Sequence, residues 1–193
     1  MRPSARWRLV AAPFLLLLLA ATAGAAAAPA SRPAGFEPDP ASGELTWTLF
    51  LDAGRVRAVL HAAPDFSPDR PTLLVVFALP NGNTVEQTIG CRPASGLDWH
   101  FDIQHVGAQV RRCRELDRTR NLVVAYVEAA GLSWPSWRKD RADAPVQAAA
   151  VLDAVCKAVP GPRPSVCLAA HSGGGAFLFS LLDAGDVVPA GVE

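Results

Sequence analysis

Val166-Cys167-Leu168-Ala169-Ala170-His171-Ser172-Gly173-Gly174-Gly175 lies near the C-terminal end of a 193-residue chain. A short apolar run stops at a serine set among small residues, and Ala176-Phe177-Leu178-Phe179-Ser180-Leu181-Leu182 then reads as a helix. Strand, sharp turn and helix are the setting of a nucleophile elbow, in which a strained turn lifts a serine hydroxyl clear of a parallel sheet. Strand and helix nearly touch in such a turn, so the positions two before and two after the serine must be small. Ala170 and Gly174 meet that condition, with alanine where glycine is usual. A glycine-rich turn that only caps a strand has the same composition, so the surroundings of the motif decide between the two.

Working outward, Thr72-Leu73-Leu74-Val75-Val76-Phe77-Ala78-Leu79 and Leu122-Val123-Val124-Ala125-Tyr126-Val127 are apolar throughout, like the run before Ser172. Unbroken apolar runs of this length predict strands buried on both faces, as in a parallel sheet covered by helices. Two helices are expected between them. Leu97 to Leu116 carries Ile103, Val106, Val110, Cys113 and Leu116 at spacings of three and four. Ala144 to Val159 puts Val151, Leu152, Val155 and Val159 on one side and stops at Pro160-Gly161-Pro162. Upstream, Glu44–Leu51 and Arg55–His61 alternate apolar and polar residues about Asp52-Ala53-Gly54, which predicts an antiparallel hairpin. The fold class is α/β: a leading hairpin, then a mainly parallel sheet with right-handed crossovers placing helices on both faces. There is no internal repeat and no second domain.

The N-terminus reads as a targeting segment. Arg2, Arg6 and Arg8 precede an uncharged stretch from Leu9 to Ala30 centred on Phe14–Leu19, and small residues follow around Ala26 to Ala28. That order predicts a signal peptide over 1–28 and a secreted or periplasmic protein. An uncleaved segment would instead anchor the chain in a membrane. Residues 29–43, rich in Pro, Ala and Ser, read as a flexible leader, and 44–193 as one domain. Basic and acidic residues balance at 18 each, with no basic patch and no case for nucleic acid. The four cysteines all follow the signal, where disulfides are permitted. Cys91 with Cys113 and Cys156 with Cys167 is the local pairing, against small buried cysteines at 156 and 167.

The loop Pro80-Asn81-Gly82-Asn83-Thr84 leaves the first apolar strand at the same end as the turn at Ser172. Sites in such sheets form at the carboxyl ends of the strands. A backbone N–H from this loop, with Asn83 as the leading donor, and the N–H of Gly173 would face the oxygen of a carbonyl attacked by Ser172. Such donors are each worth about 3–4 kcal/mol in acyl transfer. An ordinary Asn-Gly turn is the competing reading. Trp134 and Trp137, after the second apolar strand, would line a pocket for a sugar, aryl or acyl group, or pack against the sheet rim. No phosphate-binding loop and no zinc spacing is present, so neither cofactor nor metal is expected.

The hairpin, the Asn81-Gly82-Asn83 loop and the elbow Ala170-His171-Ser172-Gly173-Gly174 together resemble the α/β-hydrolase superfamily over Glu44 to Glu193. The resemblance implies Ser172 as nucleophile and Asn83 and Gly173 as the oxyanion hole. It also implies an acid and then a histidine after the serine. Nothing after Ser172 is a histidine, and the acids there are Asp183, Asp186 and Glu193. His171 should point away from the site and pack, while His61, His100 and His105 precede the serine. The chain is therefore expected to be the N-terminal part of a longer hydrolase, inactive alone. The expected function is that of a secreted serine hydrolase acting on a small-molecule or polymer ester. A peptidase or amidase, and a non-catalytic binding protein that kept the elbow, are the alternatives.

Overall fold

The computed structural model describes residues 32–40, 42–90 and 105–185. The signal segment (1–28), Cys91, His100, Asp186, the run from Val187 to Glu193 and positions 97–104 of the first expected helix lie outside the described residues.

Six strands form one sheet in the order β1-β2-β3-β5-β4-β6. They are β1 (Glu37–Pro38), β2 (Leu45–Leu51), β3 (Val56–Ala62), β4 (Thr72–Ala78), β5 (Asn121–Ala129) and β6 (Ser165–Ala170). β2 and β3 make the expected hairpin, and β3 then pairs antiparallel with β5. β4 lies parallel between β5 and β6, with Ala78 opposite Val127 on one side and Ala170 on the other. Helices α1 (Val85–Ile89) and α2 (Val106–Leu116) cover one face. On the other lie α3 (Trp134–Lys139), α4 (Ala144–Ala158) and α5 (Gly175–Asp183). This is the α/β fold class read from the sequence, with the leading hairpin and helices on both faces, but the sheet is mixed rather than mainly parallel, because the hairpin joins it through the antiparallel β3–β5 pair.

The larger core joins Leu74, Val76, Val123, Val151, Leu152 and Phe177 between the sheet and α4 and α5. The smaller one gathers Leu79, Val85, Ile89 and Tyr126 under α1, with Val106 and Val110 of α2 against it. The two faces of β4 are unequal, since Leu74, Val76 and Ala78 are fully buried but Leu73, Val75 and Phe77 only partly. The apolar stripe of α2 is likewise shorter than its spacing promised. Cys113 and Leu116 are exposed, because the last turn of the helix runs past the core.

Three other expectations are corrected. The leader reading of 29–43 missed Phe36, which is buried edge-on to Trp47 at 5.7 Å, and the two residues of β1 beside it. α1 was not foreseen; it starts at a capping box in which the Thr84 hydroxyl accepts from Gln87 N and Gln87 caps Thr84 N in return. Cys156 and Cys167 are unpaired thiols. Alternation along β6 explains this: Val166 shares the core of Cys156, so Cys167 faces the opposite side of the sheet. Burial pushes the Cys156 thiol up, as expected for an inert core cysteine.

The end of the sheet where β4 begins holds a buried charge network. Arg114 of α2 donates to Glu44 at 2.7 Å, to the His61 carbonyl at 3.0 Å and to the Leu122 carbonyl at 3.0 Å. Glu44 also meets His61 Nδ1 at 3.1 Å. Burial alone would raise the Glu44 carboxyl, but the His61 hydrogen bond and the Arg114 charge outweigh it and hold the group below its ordinary 4.5. A carboxyl depressed by folding contributes stability above its unfolded pKa and loses it as pH falls through the folded one. Glu44→Gln is therefore expected to cost about 3 kcal/mol in urea unfolding at neutral pH. The gap to the parent should narrow as pH drops below the ordinary value of 4.5. An equal gap at acid and neutral pH would contradict this role.

Candidate active site

β6 ends at Ala170, His171 is extended, and Ser172–Gly174 form a single tight turn that feeds directly into α5. Ser172 adopts φ = 49°, in the left-handed region. For a residue with a Cβ that conformation costs about 1–2 kcal/mol. The side chain is exposed, so the strain presents a hydroxyl to solvent at the end of a parallel strand. The reason for Gly174 is close approach. A methyl on Gly174 would sit 2.2 Å from the Ala78 carbonyl oxygen and 2.8 Å from that of Leu79. Backbone bonds stitch the turn down: His171 N donates to Ala78 O at 3.3 Å and Gly174 N to His171 O at 2.9 Å.

The helices that follow the neighbouring strands β4 and β6 lie on opposite faces of the sheet. The carboxyl ends of these two strands are thus the topological switch point, where ligands sit in open α/β sheets. Ser172 stands on one rim of that point and the loop from Leu79 to Thr84 on the other. That loop is tied back by Leu79 N to Val127 O at 3.1 Å and Gly82 N to Leu132 O at 2.9 Å. The second bond occupies the Gly82 N–H.

Beyond the loop, Glu128 accepts from Val85 N at 2.8 Å and from Arg57 at 2.9 Å, and Arg57 reaches Glu86 at 3.0 Å. Burial works against the guanidinium, but its bonds to Glu86 and Glu128 prevail and hold its pKa above the ordinary value. The start of α1, and with it the loop, is thereby clamped to β3 and β5.

Asn81, rather than Asn83, is the loop residue brought against the elbow. Its side-chain amide lies over Gly173, where a methyl would be 2.0 Å from Asn81 Oδ1. Asn83 sits two residues on, just before the Thr84 cap of α1. Proximity to the strand end was the available signal, since Asn81 follows the last residues of β4 more closely.

Trp134 and Trp137 are core residues, 1% and 7% exposed, and do not line an open pocket. They open α3, capped by Ser133, where a loop was expected. Trp134 packs on Phe177 of the elbow helix at 4.6 Å and on Trp137 at 5.2 Å. The Trp137 Nε1 donates to Asp52 at 3.0 Å, and Arg141 bonds the same carboxylate while stacking on the indole.

Among the described residues no side chain hydrogen-bonds Ser172. His61 faces Glu44 and Tyr126 at the opposite end of the sheet, since it pairs with Val124 rather than with the end of β5. His105 lies against Gly90 before α2. His171, expected to pack, is exposed. Asp183 ends α5 in an ion pair with Arg138 at 2.5 Å.

Neither a protein-family model nor a curated protein matches the chain. A solved structure that it resembles is a polyethylene-glycol-bound cold-adapted esterase from an Arctic intertidal metagenomic library. The similarity has a TM-score of 0.45 and 17% identity over 82% of this chain. The chain spans 62% of that esterase's length.

Three substitutions check that geometry. Ser172→Gly removes the left-handed penalty and is expected to raise stability by about 1 kcal/mol, whereas Ser172→Ala leaves it unchanged. Gly174→Ala is expected to lower stability by about 2 kcal/mol or more, because its methyl meets fixed backbone rather than a movable side chain. Urea midpoints for the three proteins give the answer; an unaffected Gly174→Ala midpoint would mean the turn is looser than described.

Proposed function

We propose that this chain carries the nucleophile and oxyanion elements of a secreted serine hydrolase that acts on carboxylic esters. The observation that supports this reading best is the strained, exposed Ser172 at the switch point of the sheet. A turn used only to cap a strand gains nothing from a serine in a conformation that glycine adopts freely.

In the proposed reaction the Ser172 Oγ attacks the ester carbonyl carbon and its proton passes to a general base. The carbonyl oxygen takes up negative charge facing the Gly173 N–H and the Asn81 amide. The tetrahedral intermediate then expels the alcohol, leaving an acyl group on Ser172, which water removes. None of His61, His105 and His171 hydrogen-bonds Ser172 among the described residues. The base would come from residues outside those described.

The test uses protein expressed from the complete gene and a serine-directed fluorophosphonate. Labelling that disappears in Ser172→Ala supports the hydrolase. Asn81→Ala is then expected to slow ester turnover by about a hundredfold, the usual cost of one oxyanion donor. Absence of labelling with the serine intact, in a folded protein, would favour the binding protein that kept the elbow. Serine labelling with an unaltered rate in Asn81→Ala would return the donor role to Asn83.

A further inference from the structure

At the end of the sheet opposite Ser172, the loop from β3 to β4 and the turn from α2 to β5 flank an open recess of about 380 Å³. Five arginines line it: Arg70, Arg111, Arg114, Arg118 and Arg120. Three are answered by carboxylates that line it too. Arg114 holds the buried Glu44 at 2.7 Å, Arg120 holds Asp117 at 2.7 Å and Arg70 lies 3.4 Å from Asp65. The remaining acid, Glu115, is engaged from outside the cavity by Arg112 at 2.8 Å. Arg111 and Arg118 are left, both exposed and neither in an ion pair among the described residues. Burial presses the Arg114 pKa below its ordinary value; Glu44 and Tyr126 oppose that shift, and the charge of Arg111 adds a smaller push in the same direction as burial. Folding thus gathers five arginines and four carboxylates around one recess, with Arg111 and Arg118 outside its direct ion pairs.

We propose that this cavity binds a tetrahedral oxyanion, a phosphate or sulfate group, between Arg111 and Arg118. The planar fork of a guanidinium matches two oxygens of such a group at once, and an ionised acceptor roughly doubles the strength of each hydrogen bond. Arg114, held in place by Glu44 and two backbone carbonyls, forms the fixed wall behind the two exposed side chains. The recess admits a free ion or the same group on a small molecule. It lies at the far end of the strands from the ester site, so the inference stands whether or not Ser172 is a nucleophile.

The probe is inorganic phosphate, titrated into the protein at constant ionic strength balanced with sodium chloride, with the melting temperature as readout. A saturable rise is expected. In Arg111→Gln/Arg118→Gln, whose altered side chains are exposed, the midpoint of the rise should move at least about tenfold, the effect of losing one charged hydrogen bond. Arg55→Gln, at the other end of the sheet, should behave as the parent. No rise beyond that given by sodium chloride, or the same midpoint in the double variant, would overturn the proposal. Co-sedimentation with phosphatidylcholine vesicles, with and without phosphatidic acid, separates the sources. Binding only with phosphatidic acid, lost in the double variant, assigns the group to a lipid headgroup, and its absence beside a phosphate response assigns it to a soluble ligand.

Discussion

The approach of Gly174 to the Ala78 and Leu79 carbonyls is the constraint on which the rest of the arrangement depends. β6 must pair with β4 along its length, and α5 must then turn back over the sheet from the same point. Only a residue without a Cβ lets the chain pass that close. Once Gly174 is seated, Ser172 has little conformational choice, and its left-handed φ follows from the route the backbone takes. The exposed hydroxyl is therefore a product of packing two residues away.

The two rims of the switch point are secured by different physics. The elbow rests on apolar contact, with Phe177 of α5 held under Trp134 and that pair braced by Trp137. The opposite loop rests on charge: Glu128 caps the start of α1, and Arg57 binds Glu128 and Glu86 together. Both braces reach back to the hairpin, through Asp52 in its turn and Arg57 in β3. The antiparallel lead-in thus serves as the frame against which both rims are set.

The strands and the elbow were legible because their signals are local. Unbroken apolar runs mark β4, β5 and β6, and small residues mark a turn wherever strand and helix must touch. What escaped depends on contacts between distant parts of the chain. Whether the tryptophans of α3 line a pocket or pack inward turns on Phe177 and Asp52, which enclose them from distant parts of the chain. Asn81 and Asn83 cannot be ranked without knowing which side chain meets Gly173. Cys156 and Cys167 are close in sequence, yet the alternation of β6 sends them to opposite sides of the sheet. Helix α1 is too short for periodicity to reveal, although its Thr84-to-Gln87 capping box was there to be read. The arginine-lined recess is likewise invisible in a chain whose charges sum to zero.

The pairing of β4 with β6 joins segments separated by most of the domain, from Leu73 with Ser165 to Ala78 with Ala170. Parallel strands so far apart must close a long loop before their contacts reward them, and such contacts form late in folding. Until they form, nothing holds Ser172 in its left-handed turn and it is an ordinary serine. The poised hydroxyl is thus a property of the completed fold alone, and a chain that has made only its hairpin and first helices carries no half-built version of it.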